Sequence, residues 1–432
     1  MKKRIDLITK HPVLITALIC LVFYFLPFKP KPFGDGEYHE GTIQLIQFVL
    51  NGFEGNVRVD KGLFSLFYYF IPYSIAYIFH NDTVYYFSGI IFNSMITCLA
   101  ILLLFKSFDL MGFTNKSKFW SILALNLFPI HVYYAMGILA ESGSFFAVCL
   151  FVYSWVRIIT EQSSSKTNYV LLSISVAMLI GFRPNLLPFA GLLVFYFLIL
   201  KIKGHYKLIF SASLIFFLIL LQFAEKSMSS NNGEFKKEVF RKQLLWSRYE
   251  LRDEPFNWLP QHGQDEFASS DYKHNLDKRK ELDSICDVNK FDKTNYYISW
   301  VANDIIQHPF LTLRQCGLKF FQSQSFIISP LMKSNKSNWI KYGIHVYINC
   351  INYILIFYSI LAVFVLLKTK KYQLILPFLF LWGWSLVYVF MFHSEQRYLF
   401  PTRPVLLFLF AFGINHYANL SIFKDKILET NQ

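Results

Sequence analysis

Residues 62–79 read GLFSLFYYFIPYSIAYIF, an apolar and aromatic run interrupted only by Pro72. Its length is close to the roughly 17–25 residues that cross a bilayer core of about 30 Å. Whether it crosses decides the side on which every later loop lies. On either side of it the chain is organised in apolar blocks of spanning length, near 12–28, 84–105, 118–136, 140–157, 168–183, 185–201, 206–224, 341–367, 372–391 and 399–418. Loop charge settles the choice, because short cytoplasmic loops carry an excess of Lys and Arg. With Lys2, Lys3 and Arg4 in the cytoplasm and 62–79 kept at the outer surface, the cytoplasmic loops hold Lys106, Lys116, Lys118, Arg157, Lys166, Lys201, Lys203, Lys207, Lys368, Lys370 and Lys371, and the C-terminal tail adds Lys424 and Lys426. If 62–79 crossed, these clusters would all face outward. The pattern therefore predicts an all-α membrane protein: a polytopic bundle of about ten transmembrane helices (roughly nine to thirteen), with juxtamembrane helices in the first outer loop and a large later outer loop.

Composition agrees. The 432 residues are 54% hydrophobic and 16% charged, with a mean hydropathy of +0.36, whereas a soluble domain carries about a quarter charged residues. The net charge of +14 reads as loop Lys and Arg that set orientation and attract anionic membrane lipid. No Gly-rich nucleotide loop, zinc spacing or RNA-binding signature accompanies it, so nucleic acid is not an expected partner. The start, Met1-Lys2-Lys3-Arg4 before an apolar run, has the look of a signal peptide but lacks a small-residue cleavage site, and is read as an uncleaved first helix. Cys20, Cys98, Cys149 and Cys350 lie in apolar blocks; Cys286 and Cys316 lie in the polar segment and could pair if it faces an oxidising compartment. The chain divides into an N-terminal transmembrane module, 1–224, containing the first outer loop 29–61; a large outer segment, 225–340; and a C-terminal transmembrane module, 341–432. Within the large segment, 304–325 reads as an interfacial amphipathic helix.

This topology collects the unusual charges on the outer face. Gly34-Asp35-Gly36-Glu37-Tyr38-His39-Glu40 follows the first helix. The glycines allow a sharp turn, and a carboxylate beside an aromatic surface is partly desolvated, as a general base requires; the alternative is an ordinary solvated loop acid. Glu141 stands between two apolar runs with almost no loop, either in a wet cavity or as an acid favoured by the helix that follows. Arg183, in Gly181-Phe182-Arg183-Pro184-Asn185, suits a phosphate or simply snorkels to the interface. Glu395, Arg397 and Tyr398, before Pro401, form either an exposed loop or part of the same cavity. His39 beside acids leaves a divalent metal, Mg or Mn, as a cofactor to consider.

In order along the chain these pieces resemble the GT-C superfamily of membrane glycosyltransferases, in particular its protein-mannosyltransferase and aminoarabinose-transferase branch. Gly34-Asp35-Gly36-Glu37-Tyr38 resembles the family's acidic start to the first outer helix. Residues 62–79 resemble its juxtamembrane helix, LNLFPIHVYYAMGILAESGSFF its Pro-then-acid connection, and GFRPN its Arg-Pro break. QHPFLTLRQCGLKFF resembles the amphipathic segment of its late loop, and EQRYLFPTRPVLLFLFAFG its Arg-Tyr-Pro lead-in to a late helix. The chain departs from the pattern at Gly36, where an adjacent acid is usual, at Glu141, where Asp is common, and at Val59-Asp60-Lys61-Gly62, where His-Pro-Pro is usual. The resemblance implies a polyprenyl-phosphate sugar donor and a glycan, lipid or protein acceptor at the outer leaflet. It makes Asp35 the general base, with Glu37 or Glu141 supporting it, and has Arg183 and Arg397 hold the lipid phosphate. Tyr38, Glu395 and Tyr398 belong to the substrate-binding set. Two other readings compete: an envelope polysaccharide polymerase or ligase using diphosphate-linked glycans, and a non-catalytic lipid-glycan transporter or flippase. The heavy use of Lys, Asn, Ile and Phe points to an AT-rich bacterial genome and a bacterial inner membrane, with the site facing outward.

Overall fold

The computed structural model describes residues 8–26, 30, 32–33, 36–59, 62–160, 165–200, 202–228, 232–253, 270–326, 337–392 and 396–429. The basic start, Asp35 and Glu395 lie outside them. Every regular element among the described residues is helical. The helices are α1 (Pro12–Phe25), α2 (Glu37–Leu50), α3 (Leu63–Ala76, continued by a 3-10 turn Tyr77–Phe79), α4 (Asp82–Leu110), α5 (Asn115–Leu127), α6 (Ile130–Ala135), α7 (Glu141–Thr160), α8 (Lys166–Phe182), α9 (Leu187–Ile199) and α10 (Gly204–Met228). They continue with α11 (Asn232–Tyr249), α12 (Ser270–Asn289), α13 (Lys293–Gln307), α14 (Pro309–Gln324), α15 (Asn338–Lys368), α16 (Tyr372–Met391), α17 (Gln396–Leu399) and α18 (Arg403–Glu429). Among the described residues six stretches are helical, long and apolar enough to cross a bilayer, the mark of a multi-pass membrane protein: Asp82–Leu110, Glu141–Thr160, Gly204–Met228, Trp339–Lys368, Tyr372–Met391 and Arg397–His416. Pro12–Phe25, Leu63–Phe79, Lys166–Phe182 and Pro184–Ile199 are apolar but shorter.

One expected span is broken. The run 118–136 is two helices, α5 and the six-residue α6, separated at Phe128-Pro129. Proline has no N–H to donate, and it holds the preceding residue out of the helical region; Phe128 sits at φ −122°, ψ 69°. The average apolarity of the run concealed the break.

Contacts divide the chain into two units, residues 1–228, 350–382 and 400–432, and residues 229–349 and 383–399. In the first, α1 runs antiparallel to α4: the Tyr24 and Phe87 rings are 6.0 Å apart, and Cys98 Sγ lies 4.0 Å from Val13 O. Chain exit from α1 and chain start of α4 therefore share one end of the bundle. Helix α3 lies between them in sequence and returns the chain to the end it left. Its Tyr73 packs on Tyr85 at 4.9 Å, and its leading Gly62 approaches Gly181 O so closely that a Cβ there would be 2.7 Å away. A tight turn makes the reversal: His80 is left-handed at φ 44°, and the Asn81 side chain accepts from Thr83 N–H at 2.8 Å to cap α4. The opposite end is basic. There Phe113 packs on Phe408 and Phe412, Thr114 N–H donates to Asn415 at 2.9 Å, Lys371 lies over the Phe412 ring, and Lys118 pairs with Asp109.

The second unit packs α11, α12 and α13 around Leu245, Leu282 and Tyr297, with Tyr249, Tyr296 and Trp300 at the margin. The Asp292 side chain caps α13 by accepting from Asn295 N–H at 2.8 Å. Pro309 separates α13 from α14 and opens the latter, where its missing N–H is no loss. Cys286 and Cys316 are both free thiols, the first buried and the second half-buried.

Candidate functional site

Glu141 and Arg183 meet. Glu141 opens α7, and Arg183 ends α8, held in an extended conformation (φ −137°, ψ 80°) by the proline after it. Arg183 Nη2 donates to Glu141 Oε1 at 2.5 Å, with the Glu141 side chain 1% and the Arg183 side chain 10% exposed. The pair forms because α7 and α8 approach closely at Gly143, where a Cβ would overlap the Phe182 ring. Phe182 cannot give way, since it packs edge-on against Phe64 at 5.0 Å and Tyr68 at 5.5 Å. Gly143→Ala is accordingly expected to cost about 1–3 kcal/mol in overpacking and to move Arg183 away from Glu141, seen as a lower melting temperature.

A second group secures the strand of chain before Glu141. The buried Tyr69 hydroxyl donates to Leu139 O at 2.7 Å and accepts from Leu139 N–H at 2.8 Å. Asn93, fully buried in α4, donates to Tyr69 at 3.1 Å and to Gly137 O at 2.8 Å, and accepts from Tyr68 at 2.8 Å. Burial holds the Tyr69 phenol well above its ordinary pKa, against the opposing effect of its hydrogen bonds with Asn93 and Leu139. Ile138 N–H donates to Pro32 O at 3.0 Å, and Tyr86 donates to Met136 O at 3.0 Å. The chain leaving α1, the helices α2 and α3, and the breaks at 136–141 and 181–183 thus assemble at one end of the first unit.

Of the residues picked out from sequence, Glu37, Tyr38, Glu141 and Arg183 belong to this unit. Tyr38 is buried near Tyr69, while Glu37 lies 3.6 Å from Arg58, which also lies 3.6 Å from Glu40. Gly36 takes φ 75° at the start of α2, a conformation natural to glycine. Arg397 and Tyr398 belong to the second unit, where the Arg397 guanidinium lies 5.9 Å from the Tyr398 ring, itself 5.3 Å from Tyr388. Neither family models, nor curated proteins, nor solved structures yield a match to this chain. The functional reading therefore rests on the residues themselves.

Three residues escaped the sequence reading. Tyr69 and Asn93 are polar side chains inside apolar runs, a signal lost among the chain's other tyrosines and asparagines. Arg403 is the third: buried in the first unit, it hydrogen-bonds Asn352 and covers the Phe128 ring at 5.4 Å. A charge inside the apolar run LFPTRPVLLFLF was its available signal.

His39 bridges α2 to the start of α4. Its Nδ1 is 3.1 Å from the Tyr73 hydroxyl, and its Nε2 is 3.5 Å from Asp82. Burial pushes its pKa below the ordinary 6.5, and Asp82 opposes the shift. The folded state then binds fewer protons than the unfolded chain as pH falls below about 6.5. Stability is expected to be full above that value and to decline toward the depressed one. Melting at pH about 7.5 and about 5 should show the loss, and His39→Gln should shrink it. Among the described residues no three His, Cys, Asp or Glu side chains converge as a metal set.

Proposed function

We propose that this chain is a membrane glycosyltransferase of about ten spans. It moves a sugar from a polyprenyl-phosphate donor to a glycan, lipid or protein acceptor at the extracytoplasmic face, in a bacterial inner membrane. The observation that carries the reading is the Glu141 carboxylate. Its Oε1 is held by Arg183, while its buried Oε2 has no hydrogen-bond donor among the described residues. An oriented carboxylate with one oxygen unsatisfied is costly unless a ligand supplies the donor, and an acceptor hydroxyl would.

In this mechanism Asp35 removes the proton from the acceptor hydroxyl. The oxygen attacks C1 of the sugar, the bond from C1 to the phosphate oxygen breaks, and polyprenyl phosphate leaves with the electron pair. Glu141, with Glu37 in support, orients the acceptor. Arg183 holds the phosphate as its charge develops, and Tyr38 contacts the substrate; the family resemblance adds Arg397 to the first role and Glu395 and Tyr398 to the second. In a radiolabelled transfer assay, Asp35→Asn and Glu141→Gln are each expected to lower turnover by about 100-fold or more. Full activity in folded Asp35→Asn would exclude Asp35 as the base.

A further inference from the structure

We propose that the second unit holds a phosphate group, as the free ion or as a monoester headgroup, in a cavity formed by α11, α13, α14 and the last turn of α16. This inference is independent of the glycosyl-transfer reading. The cavity has a volume of about 50 Å³, several times the roughly 10–15 Å³ that one water needs. Val301, Ile305 and Phe390 supply apolar lining, and Arg248, Gln315 and Lys319 supply polar lining. The face of α14 turned into the unit is polar: Gln315, Lys319, Ser323 and Gln324 are buried.

Hydrogen bonds fix these three side chains and leave two atoms over. Arg248, 3% exposed, donates from Nε to Asp304 at 2.7 Å, while its buried Nη2 has no hydrogen-bond partner among the described residues. Gln315 Nε2 donates to Arg248 O and Glu250 O, each at 3.0 Å. That orients the amide and leaves Oε1 a buried acceptor with no donor among the described residues. Lys319 Nζ donates to Ser247 O at 2.9 Å, Phe390 O at 3.3 Å and Phe392 O at 3.0 Å. Its three protons are thereby committed, and it gives the cavity charge. A guanidinium donor and an amide acceptor left over beside one cavity are costly unless a guest satisfies both.

Charge narrows the guest. Among the described residues three cations, Arg248, Arg252 and Lys319, meet two acids: Asp304 lies 2.7 Å from Arg248 and 4.0 Å from Arg252, and Glu250 lies 3.7 Å from Lys319. The charged residues that line the cavity are the cations Arg248 and Lys319; Asp304 and Glu250 stand outside the lining. A singly charged anion therefore balances the cluster. Water brings no charge. A carboxylate, or sulfate at neutral pH, brings charge but can only accept. A phosphate that keeps one proton does both: its anionic oxygens accept from Arg248 Nη2, and its P–OH donates to Gln315 Oε1.

Two binding assays on the full chain in detergent test this: equilibrium dialysis against radiolabelled orthophosphate, and native mass spectrometry with short-chain phosphatidic acid. One phosphate group per chain is expected to bind. Orthophosphate should bind about 10-fold or more tightly than sulfate, and phosphatidic acid than phosphatidylmethanol, whose phosphate has no proton to give. Binding of orthophosphate assigns the site to the free ion, and binding of phosphatidic acid alone assigns it to a lipid headgroup. Thr312 also lines the cavity and is half-buried, its hydroxyl bonded to His308 O one turn back. Thr312→Trp fills the space, leaves the three polar side chains in place, and should weaken binding about 10-fold or more. Arg248→Lys keeps a cation beside Asp304 but loses Nη2, and should weaken binding by a similar factor; melting temperature confirms that each variant is folded. No phosphate bound in either assay would leave the cavity to water. Sulfate bound as tightly as phosphate, or binding unchanged in the folded variants, would place the anion elsewhere. Each of these results overturns the proposal.

Discussion

Arg183→Leu is expected to lower the apparent melting temperature by about 5–10 °C and to abolish transfer. The substitution leaves Glu141, 1% exposed, without its cation, and an unpaired buried charge costs about 3–5 kcal/mol. Making Glu141→Leu at the same time removes that charge. Replacing both members of a buried pair by apolar side chains is often close to neutral, so the double variant should regain most of the lost stability. It should regain none of the activity, since the arginine would still be missing from the phosphate and the carboxylate from the acceptor. Stability by thermal melting and turnover by sugar transfer are measured on the same preparations. A double variant that recovered both would reduce the pair to a structural clasp between α7 and α8.

Lys319→Ala is expected to have an effect of similar size in the second unit. The side chain is 1% exposed, and burial pulls its pKa below the ordinary lysine value while the adjacent Glu250 opposes the shift. Removing it takes a cation away from Glu250 and leaves the carbonyls of Ser247, Phe390 and Phe392 without this donor. The expected loss is about 3–5 kcal/mol, with faster proteolysis near residues 392–399 as α14 releases the end of α16. Lys319→Met preserves volume but not the donors, and should fail in the same way. Lys319→Met with Glu250→Gln should recover part of the loss by removing the buried charge that faced the lysine. Melting and limited proteolysis distinguish these outcomes; a Lys319→Met protein as stable as the parent would contradict the buried tie.

Much of the fold was legible because membrane helices leave a strong apolar signal and loop lysines leave a parity rule. That rule placed 62–79 outside the set of crossings; the structure has it as an apolar helix, Leu63–Phe79, shorter than the six spanning-length stretches. It also placed Lys118 and Lys371 on one side, where both are found. Pro129 was visible in LNLFPIHV, yet the averaged apolarity of the block outweighed it. At the site, Glu141 and Arg183 stood out as charges at breaks between apolar runs. Nothing local could pair two side chains 42 positions apart. Tyr69 and Asn93 were hidden for the same reason, since their meaning lies in long-range contacts to Leu139 and Gly137. For α14 the periodicity showed two faces but not which one points inward. Inwardness belongs to the assembled unit, and it is Lys319 and Gln315 that set it.

Sugar transfer by the purified chain tests the central claim most directly. The wild-type protein is reconstituted in proteoliposomes, and a radiolabelled polyprenyl-phosphate sugar is supplied with extracted envelope glycan, lipid and protein acceptors. Reconstitutions are sorted by orientation with a membrane-impermeant thiol reagent at Glu54→Cys, in the loop between α2 and α3. The expected result is label in acceptor and free polyprenyl phosphate, dependent on Asp35 and confined to the compartment that the loop faces. Movement of the intact donor across the bilayer without cleavage of its C1–phosphate bond would contradict the glycosyltransferase reading and identify a transporter instead.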